Sequence, residues 1–250
     1  MTAPTTGLDW ALPYASNRSA VMGRNVVSTS QPLAAQAGLR MLLAGGNAVD
    51  AAIAAAMALT VVEPTGCGIG SDGFAIVWDG KELHGLNASG RSPAAWNPAY
   101  FAERGGLPET GWNAVTVPGA VSAWVALSKR MGKLPFAKLA EPAIDYARNG
   151  FPVSPTIARL WALGAAKLGA QPGFAECFMP GGRAPRAGEI FRSEAHARKL
   201  FAAPVASSNP KASTSGRPSS EPTALAPSIT RSTPSRSLSR AAPPFAHSSL

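Results

Sequence analysis

Residues 48–62, AVDAAIAAAMALTVV, are apolar nearly all the way round a helix of about four turns. A helix with one apolar stripe can rest on a surface, but a helix with no polar face has to be enclosed on most sides. This segment therefore calls for a layered domain with the helix in its middle. Its ends are written in the sequence. Asn47 precedes it as an N-cap, and Asp50 stands at the third helical position, the reciprocal arrangement of a capping box. Glu63-Pro64 stops it, since proline lacks an N–H and biases the residue before it away from the helix.

The neighbouring segments supply layers to enclose it. Upstream, VMGRNVVSTS reads as a short strand running into a helix start. Ser30 is the expected N-cap, Pro32 lies in the first turn, and PLAAQAGLRMLLAGG carries Leu33, Ala37, Met41 and Ala44 as one stripe before Gly45-Gly46. Downstream, TGCGIGSDGF leads into a strand, FAIVW, and Asp79-Gly80 turns it into a second, KELHGLN. Helical periodicity then returns. Pro118-Gly119 opens AVSAWVALSKRMG, with Val121, Trp124, Val125 and Ser128 expected on one face and Gly132 at the end. Leu139 to Asn149, closed by Gly150, and Thr156 to Leu168 give two more helices. Helices, a hairpin and a further helical run make an α+β domain, with Met22, Met41 and Met57 spaced for its core.

Several function classes drop out. Gly66, Gly68 and Gly70 suggest a phosphate cradle, but such a cradle runs strand, loop, helix, so that a helix N-terminus faces the anion. Here the order is helix, loop, strand, and the glycines are expected instead to provide positive φ or close packing. The net charge of +9 invites a nucleic-acid reading. About +4 of it sits in residues 201–250, as Lys211, Arg217, Arg231, Arg236 and Arg240 against Glu221, and the rest forms no stripe. No nucleic-acid partner is expected. Nor is a membrane: no run of 18 apolar residues occurs, and the N-terminus lacks a basic patch before an apolar stretch, so the chain reads as cytoplasmic. Cys67 and Cys177 are too few for a disulfide framework and lack metal-site spacing.

Composition divides the chain into an N-terminal extension (1–21), a periodic domain (22–200) and a C-terminal segment (201–250). The last holds 13 Ser and 8 Pro with a single glycine, and it reads as disordered. Ser, Pro, Arg, Ala and Thr in bulk are also what a GC-rich gene yields out of frame, so a frame change near codon 200 is an alternative origin. Sequencing that stretch of DNA tests it.

The stretch VVSTSQPLAAQAGLRMLLAGGNAVDAAIAAAMALTVVEPTGCGIGSDGF resembles the opening of the γ-glutamyltransferase (γ-glutamyltranspeptidase) large subunit. Further on, VTVPGAVSAWVALSKRMGKLPFAKLAEPAIDYARNGFPVS is similar to that family's VPG helix, GKLP turn, PAI helix and GFPV segment. The resemblance covers roughly residues 22–200 and implies an αββα Ntn-hydrolase sandwich, of which this is the large-subunit part. It further implies a precursor that cleaves itself before a threonine. That threonine's hydroxyl and free α-amine then serve as nucleophile and base, because a hydroxyl is weak at its own pKa and the amine can take its proton. A γ-glutamyl group passes from glutathione-like donors to water or an amino acceptor through an acyl-enzyme. No metal or organic cofactor is implied.

Three departures shape the expectations. The family's nucleophile stands in a Thr-Thr-His-like motif, and no such motif occurs; Thr214, Thr223, Thr230 and Thr233 lack its context. No catalytic residue is therefore expected in this chain, which reads as a large-subunit portion lacking its small subunit and inactive alone, with bare sheet edges that favour aggregation. The substrate α-carboxylate is held in the family by an arginine in an Arg-Glu-x-Ala-Pro context, where this chain reads NASGRSPA. Anchored on Pro93, the position falls on Ser89, with Arg91 two residues later, and these two are the candidate substrate-binding residues. Arg91 as a carboxylate ligand and Arg91 as a turn residue both stand open. The departure admits a relative acting on another amide, such as oxamate or a cephalosporin side chain, and a non-catalytic scaffold with a docking tail is a further alternative. Lastly, Gln31 replaces a helix-start histidine and Cys67 a serine of the Gly-rich run. A Cys67–His84 nucleophile pair is disfavoured against Cys67 as a small buried hydrophobe, and His196 and His247 have no evident partners.

Overall fold

A computed structural model describes residues 22–208 and 228–232. Its elements are α1 (Pro32–Leu43), α2 (Ala48–Val62), β1 (Gly73–Trp78), β2 (Leu83–Ala88), α3 (Pro98–Ala102), α4 (Ala120–Met131), α5 (Phe136–Asn149), β3 (Phe151–Pro152), α6 (Pro155–Leu168), α7 (Phe174–Phe178), β4 (Ile190–Phe191), α8 (Glu194–Ser208) and β5 (Ser228–Ser232). The apolar helix α2 is central as expected, packed by α1, α4 and α5, with 11 of its 15 residues buried. α1 crosses it closely: a Cβ on Gly38 would lie 2.9 Å from the Ala51 carbonyl oxygen.

The capping box forms, and it reaches beyond its own helix. Asn47 Oδ1 accepts from the Asp50 N–H (3.0 Å), and Asp50 Oδ2 accepts from the Asn47 N–H (2.9 Å). The fully buried Asp50 carboxylate also accepts from the N–H of Lys133 (3.1 Å) and of Leu134 (3.2 Å), while Asn47 Nδ2 donates to the Met131 carbonyl (2.6 Å). The GGNAVDAA turn and the MGKL turn thus form one polar knot inside an apolar core. Glycine is needed on both sides: a Cβ at Gly46 or at Gly132 would lie 3.0 Å from an Asp50 carboxylate oxygen.

β1 and β2 form the expected antiparallel hairpin, Gly73 opposite Ala88 and Trp78 opposite Leu83. Asp79 turns it by accepting from the N–H groups of Lys81 and Glu82, both at 2.8 Å, with Gly80 at φ +96°. The period-2 alternation gives the sheet two different faces. His84, Leu86 and Ala88 are buried, and α4 packs on both strands. On the opposite face Phe74, Ile76 and Trp78 are 65, 77 and 60 % exposed. Beneath the second half of the domain, Trp161, Phe151 and Phe191 pack edge to face, and Trp161 Nε1 donates to the Phe178 carbonyl (2.9 Å).

Several expectations need correction. Residues 22–31 form no strand, and Met22 is 94 % exposed, whereas Met41 and Met57 are core residues. The N-cap of α1 is Gln31, whose side chain accepts from the N–H groups of Leu33 and Ala34. Its buried stripe is Ala34, Ala37, Gly38 and Met41, with Leu33 half-buried and Ala44 exposed. α4 is rotated from its expected face: Ala120, Ala123, Trp124 and Leu127 are buried. The reason is the sheet. A Cβ on Gly73 would lie 3.0 Å from the Ala123 Cβ, so the helix presents its small residues where it meets β1. Gly66, Gly68 and Gly70 have neither positive φ nor a close backbone neighbour; the tight approaches fall at Gly73, Gly90 and Gly119.

The compositional change at residue 200 is not a structural one. α8 runs across it to Ser208, and β5 lies within the segment read as disordered, its Ile229 and Thr230 being strand-favouring β-branched residues. The remainder of that segment, with Thr214, Thr223, Thr233 and His247, and the extension 1–21 lie outside the described residues. α8 is joined to α2 by His196, which does have a partner: its Nε2 is 3.2 Å from Thr60 Oγ1. Thr60 Oγ1 donates its one hydrogen to the Met57 carbonyl (2.7 Å), so Nε2 carries the proton and donates to it.

Two outcomes follow from these contacts. Asp50→Ala removes the acceptor of the Lys133 and Leu134 amides and the fully buried half of the capping box, and is expected to cost about 3 kcal/mol, read from urea denaturation. Burial lowers the His196 pKa below 6.5, so the unfolded chain binds the proton first. Stability is then full above pH 6.5 and falls as the pH drops through 6.5 toward the folded value. Denaturation midpoints of His196→Gln are expected to lose that part of the pH dependence.

Candidate active site

Three segments meet at Gly119. The Ser71 carbonyl, at the end of the Gly-rich loop, accepts from the N–H groups of Gly119 (3.0 Å) and Ala120 (2.9 Å), which are the free donors at the start of α4. A Cβ on Gly119 would lie 1.9 Å from the Ala88 carbonyl oxygen, so only glycine lets the end of β2 approach this turn. Beyond Ala88 the chain stays against the same segment. Thr116 Oγ1 donates to the Ser89 carbonyl (3.0 Å), and the Val117 N–H donates to the Arg91 carbonyl (3.1 Å). Between them Gly90 sits at φ +76°, where a Cβ would lie 1.7 Å from the Val117 carbonyl oxygen. The signal for this junction was the VTVPG segment, legible as a motif but not as the partner of NASGR.

Ser89 and Arg91 are therefore adjacent in one braced turn and differ in what they offer. Ser89 donates its N–H to Asn87 Oδ1 (2.9 Å) and its hydroxyl to the Gly90 carbonyl (3.4 Å). Arg91 is exposed, and its guanidinium has no hydrogen bond or ion pair among the described residues. A fixed backbone carrying a free planar fork is what two-point recognition of a carboxylate requires.

The other candidates fall into structural roles. Gln31 caps α1. Glu63, at the C-cap of α2, accepts from Ser30 Oγ (2.6 Å), a contact between the start of α1 and the Gly-rich loop that nothing in the sequence announces. Cys67 is half-buried, and burial, with the Glu63 charge beside it, raises the thiol pKa. That disfavours the thiolate that a nucleophile needs. His84 is engaged instead by Asp79, Nε2 to Oδ2 at 2.8 Å. Asp79 is held well below the usual carboxylate range, first by the Glu82 N–H and then by His84 and the Lys81 N–H. A shallow cavity of about 630 Å³ lies along α6, lined by Ala158, Ala162, Arg183 and Arg186 among others, and includes neither Ser89 nor Arg91.

The chain has counterparts among known proteins. The gamma-glutamyltranspeptidase family model matches residues 34–212. A glutathione hydrolase-like YwrD proenzyme of Bacillus subtilis is 39 % identical over 178 residues, covering 70 % of this chain and 34 % of that protein. An oxamate amidohydrolase proenzyme of Klebsiella pneumoniae is 38 % identical over 176 residues, covering 67 % and 33 %. Among solved structures, a cephalosporin acylase from Bacillus halodurans superposes with a TM-score of 0.72 at 46 % identity, over 80 % of this chain and 39 % of that one. The chain spans about a third of the length of these curated relatives. Its fold is that of the Ntn-hydrolase relatives, a mixed helix-and-sheet arrangement with a three-stranded sheet (β1, β2, β5) and a two-stranded one (β3, β4) among the described residues. No helix among the described residues is long and apolar enough to cross a membrane. With its motifs, its fold and most of its length matched, the chain belongs to the gamma-glutamyltranspeptidase family.

Proposed function

We propose that these residues form the large-subunit part of an amide-hydrolysing or acyl-transferring enzyme, and that Arg91 receives the carboxylate of its acyl donor. The reading rests on the free Arg91 guanidinium in a turn braced by Thr116, Val117 and Gly119. Chemistry in the resembled family runs through a threonine that begins the small subunit. In this proposal the present chain contributes recognition and scaffold while the nucleophile comes from a small subunit. The exposed Phe74, Ile76 and Trp78 face fits such a division, since a second layer would bury it.

The donor is read more broadly than γ-glutamyl. The relatives include a glutathione hydrolase-like protein, an oxamate amidohydrolase and a cephalosporin acylase. Glutathione, oxamate and cephalosporins all carry a carboxylate for a guanidinium to hold. The offset of Arg91 from the family's arginine position supports a donor whose carboxylate stands differently from that of a γ-glutamyl group, and the proposal therefore takes in oxamate-like and cephalosporin-like amides beside glutathione. A purely scaffolding role has no observation in its favour that this reading lacks.

The test uses γ-glutamyl-p-nitroanilide, oxamate and a cephalosporin as parallel substrates. The 250-residue chain is expected to hydrolyse none of them. Joined in frame to the remainder of a family precursor that carries the nucleophilic threonine, it is expected to hydrolyse at least one. Arg91→Ala in that fusion should raise KM by about 10- to 100-fold with a smaller effect on kcat, as loss of a charged carboxylate contact does. Hydrolysis by the chain alone would overturn the division of labour, and an unchanged KM would remove Arg91 from the site.

A further inference from the structure

The sheet has two outer edges, and one is filled from an unexpected place. β5 pairs antiparallel with the side of β2 that faces away from β1, Leu83 opposite Ser232 through to Asn87 opposite Ser228. It covers five of the six residues of β2 and comes from beyond residues 209–227, far from the hairpin in sequence. β2 and β5 differ in how firmly they are held. β2 lies between two strands, with His84, Leu86 and Ala88 buried and α4 packed on it, and so forms a rigid template. β5 has one neighbour in the sheet and the sequence Ser-Ile-Thr-Arg-Ser, with a single large apolar residue. A five-residue edge strand with a single neighbour opens at the low end of a protein's stability range.

We propose that the outer edge of β2 is a strand-accepting site, and that Ser228–Ser232 fills it in cis as a detachable plug. Ser228–Ser232 belongs to the same chain as the edge it pairs with, so its seating is an intramolecular step that does not depend on protein concentration. Main-chain hydrogen bonds supply the affinity of such an edge, and the residues opposite it set which segments fit. Here these are the buried Leu86, opposite Ile229, and Gly85, opposite Thr230. The occupant the edge is built for is this chain's own segment, and any other strand that extends the sheet on this side must first displace it. The proposal is independent of the catalytic reading.

Limited trypsin digestion of the full chain tests the seating. Arg231 lies inside β5 and Arg236 outside it, in the same C-terminal segment. Cleavage after Arg231 is expected to be at least about tenfold slower than after Arg236, and the two rates to converge in the Ile229→Pro/Thr230→Pro variant, since proline cannot donate to the ladder. A fluorescent peptide spanning residues 225–235 tests the acceptor. It is expected to bind the double-proline variant at least about tenfold more tightly than the unsubstituted chain, whose edge is already filled, while the same peptide carrying both prolines binds neither. Equal cleavage at Arg231 and Arg236 in the unsubstituted chain would overturn the plug whether or not the variant folds. A peptide bound equally by both proteins, or by neither while the variant keeps its cooperative unfolding, would overturn the acceptor site.

Discussion

The fold depends on one buried carboxylate. Asp50 is enclosed in an apolar core and accepts from three backbone N–H groups, one of its own helix start and two of the turn between α4 and α5. A buried charge is tolerable when all its acceptor capacity is met, and becomes a liability when any of it is not. That asymmetry explains why the residues around it are two glycines and an amide. Gly46 and Gly132 leave room for the carboxylate oxygens, and Asn47 joins the same knot through Met131. With α2 fixed at its N-terminus, α1, α4 and α5 are fixed around it, and α4 in turn sets the height of the hairpin.

From that frame the candidate site is assembled by backbone more than by side chains. Ser71, Ala88 and Gly119 are brought together by carbonyls, amides and the absence of a Cβ. Arg91 is the exception: it is a side chain on a braced main chain, and its guanidinium has no partner among the described residues.

The capping box, the enclosure of α2, the Asp79-Gly80 turn and the closing glycines of α4 and α5 were legible in the sequence because each is a local rule written within a few residues. What was not legible is long-range. The face of α4 was misjudged because Ala120 and Ala123 turn inward to meet Gly73, a residue some fifty positions earlier. The Gly-rich loop was expected to use its glycines for unusual backbone, but the strain lies at Gly90, which looked ordinary in sequence. Likewise, nothing near His196 foretells Thr60, and nothing in a Ser- and Pro-rich segment foretells that five of its residues complete a sheet. Ser89 and Arg91 were reached through motif position, and they lie in one turn, the Arg91 guanidinium without a partner among the described residues.

The alternation of β1 has an optical consequence. Trp124 and Trp161 are buried, whereas Trp78 stands on the outer face of the sheet beside Leu83. Any layer that closes over Phe74 and Ile76 must carry Trp78 from water into an apolar surrounding. Its emission then shifts to shorter wavelength and escapes aqueous quenchers, while the two core indoles stay as they were. The sheet thus carries its own chromophore at the spot where assembly would be felt, and the difference in emission between the unsubstituted chain and Trp78→Phe separates it from Trp10, Trp96 and Trp112.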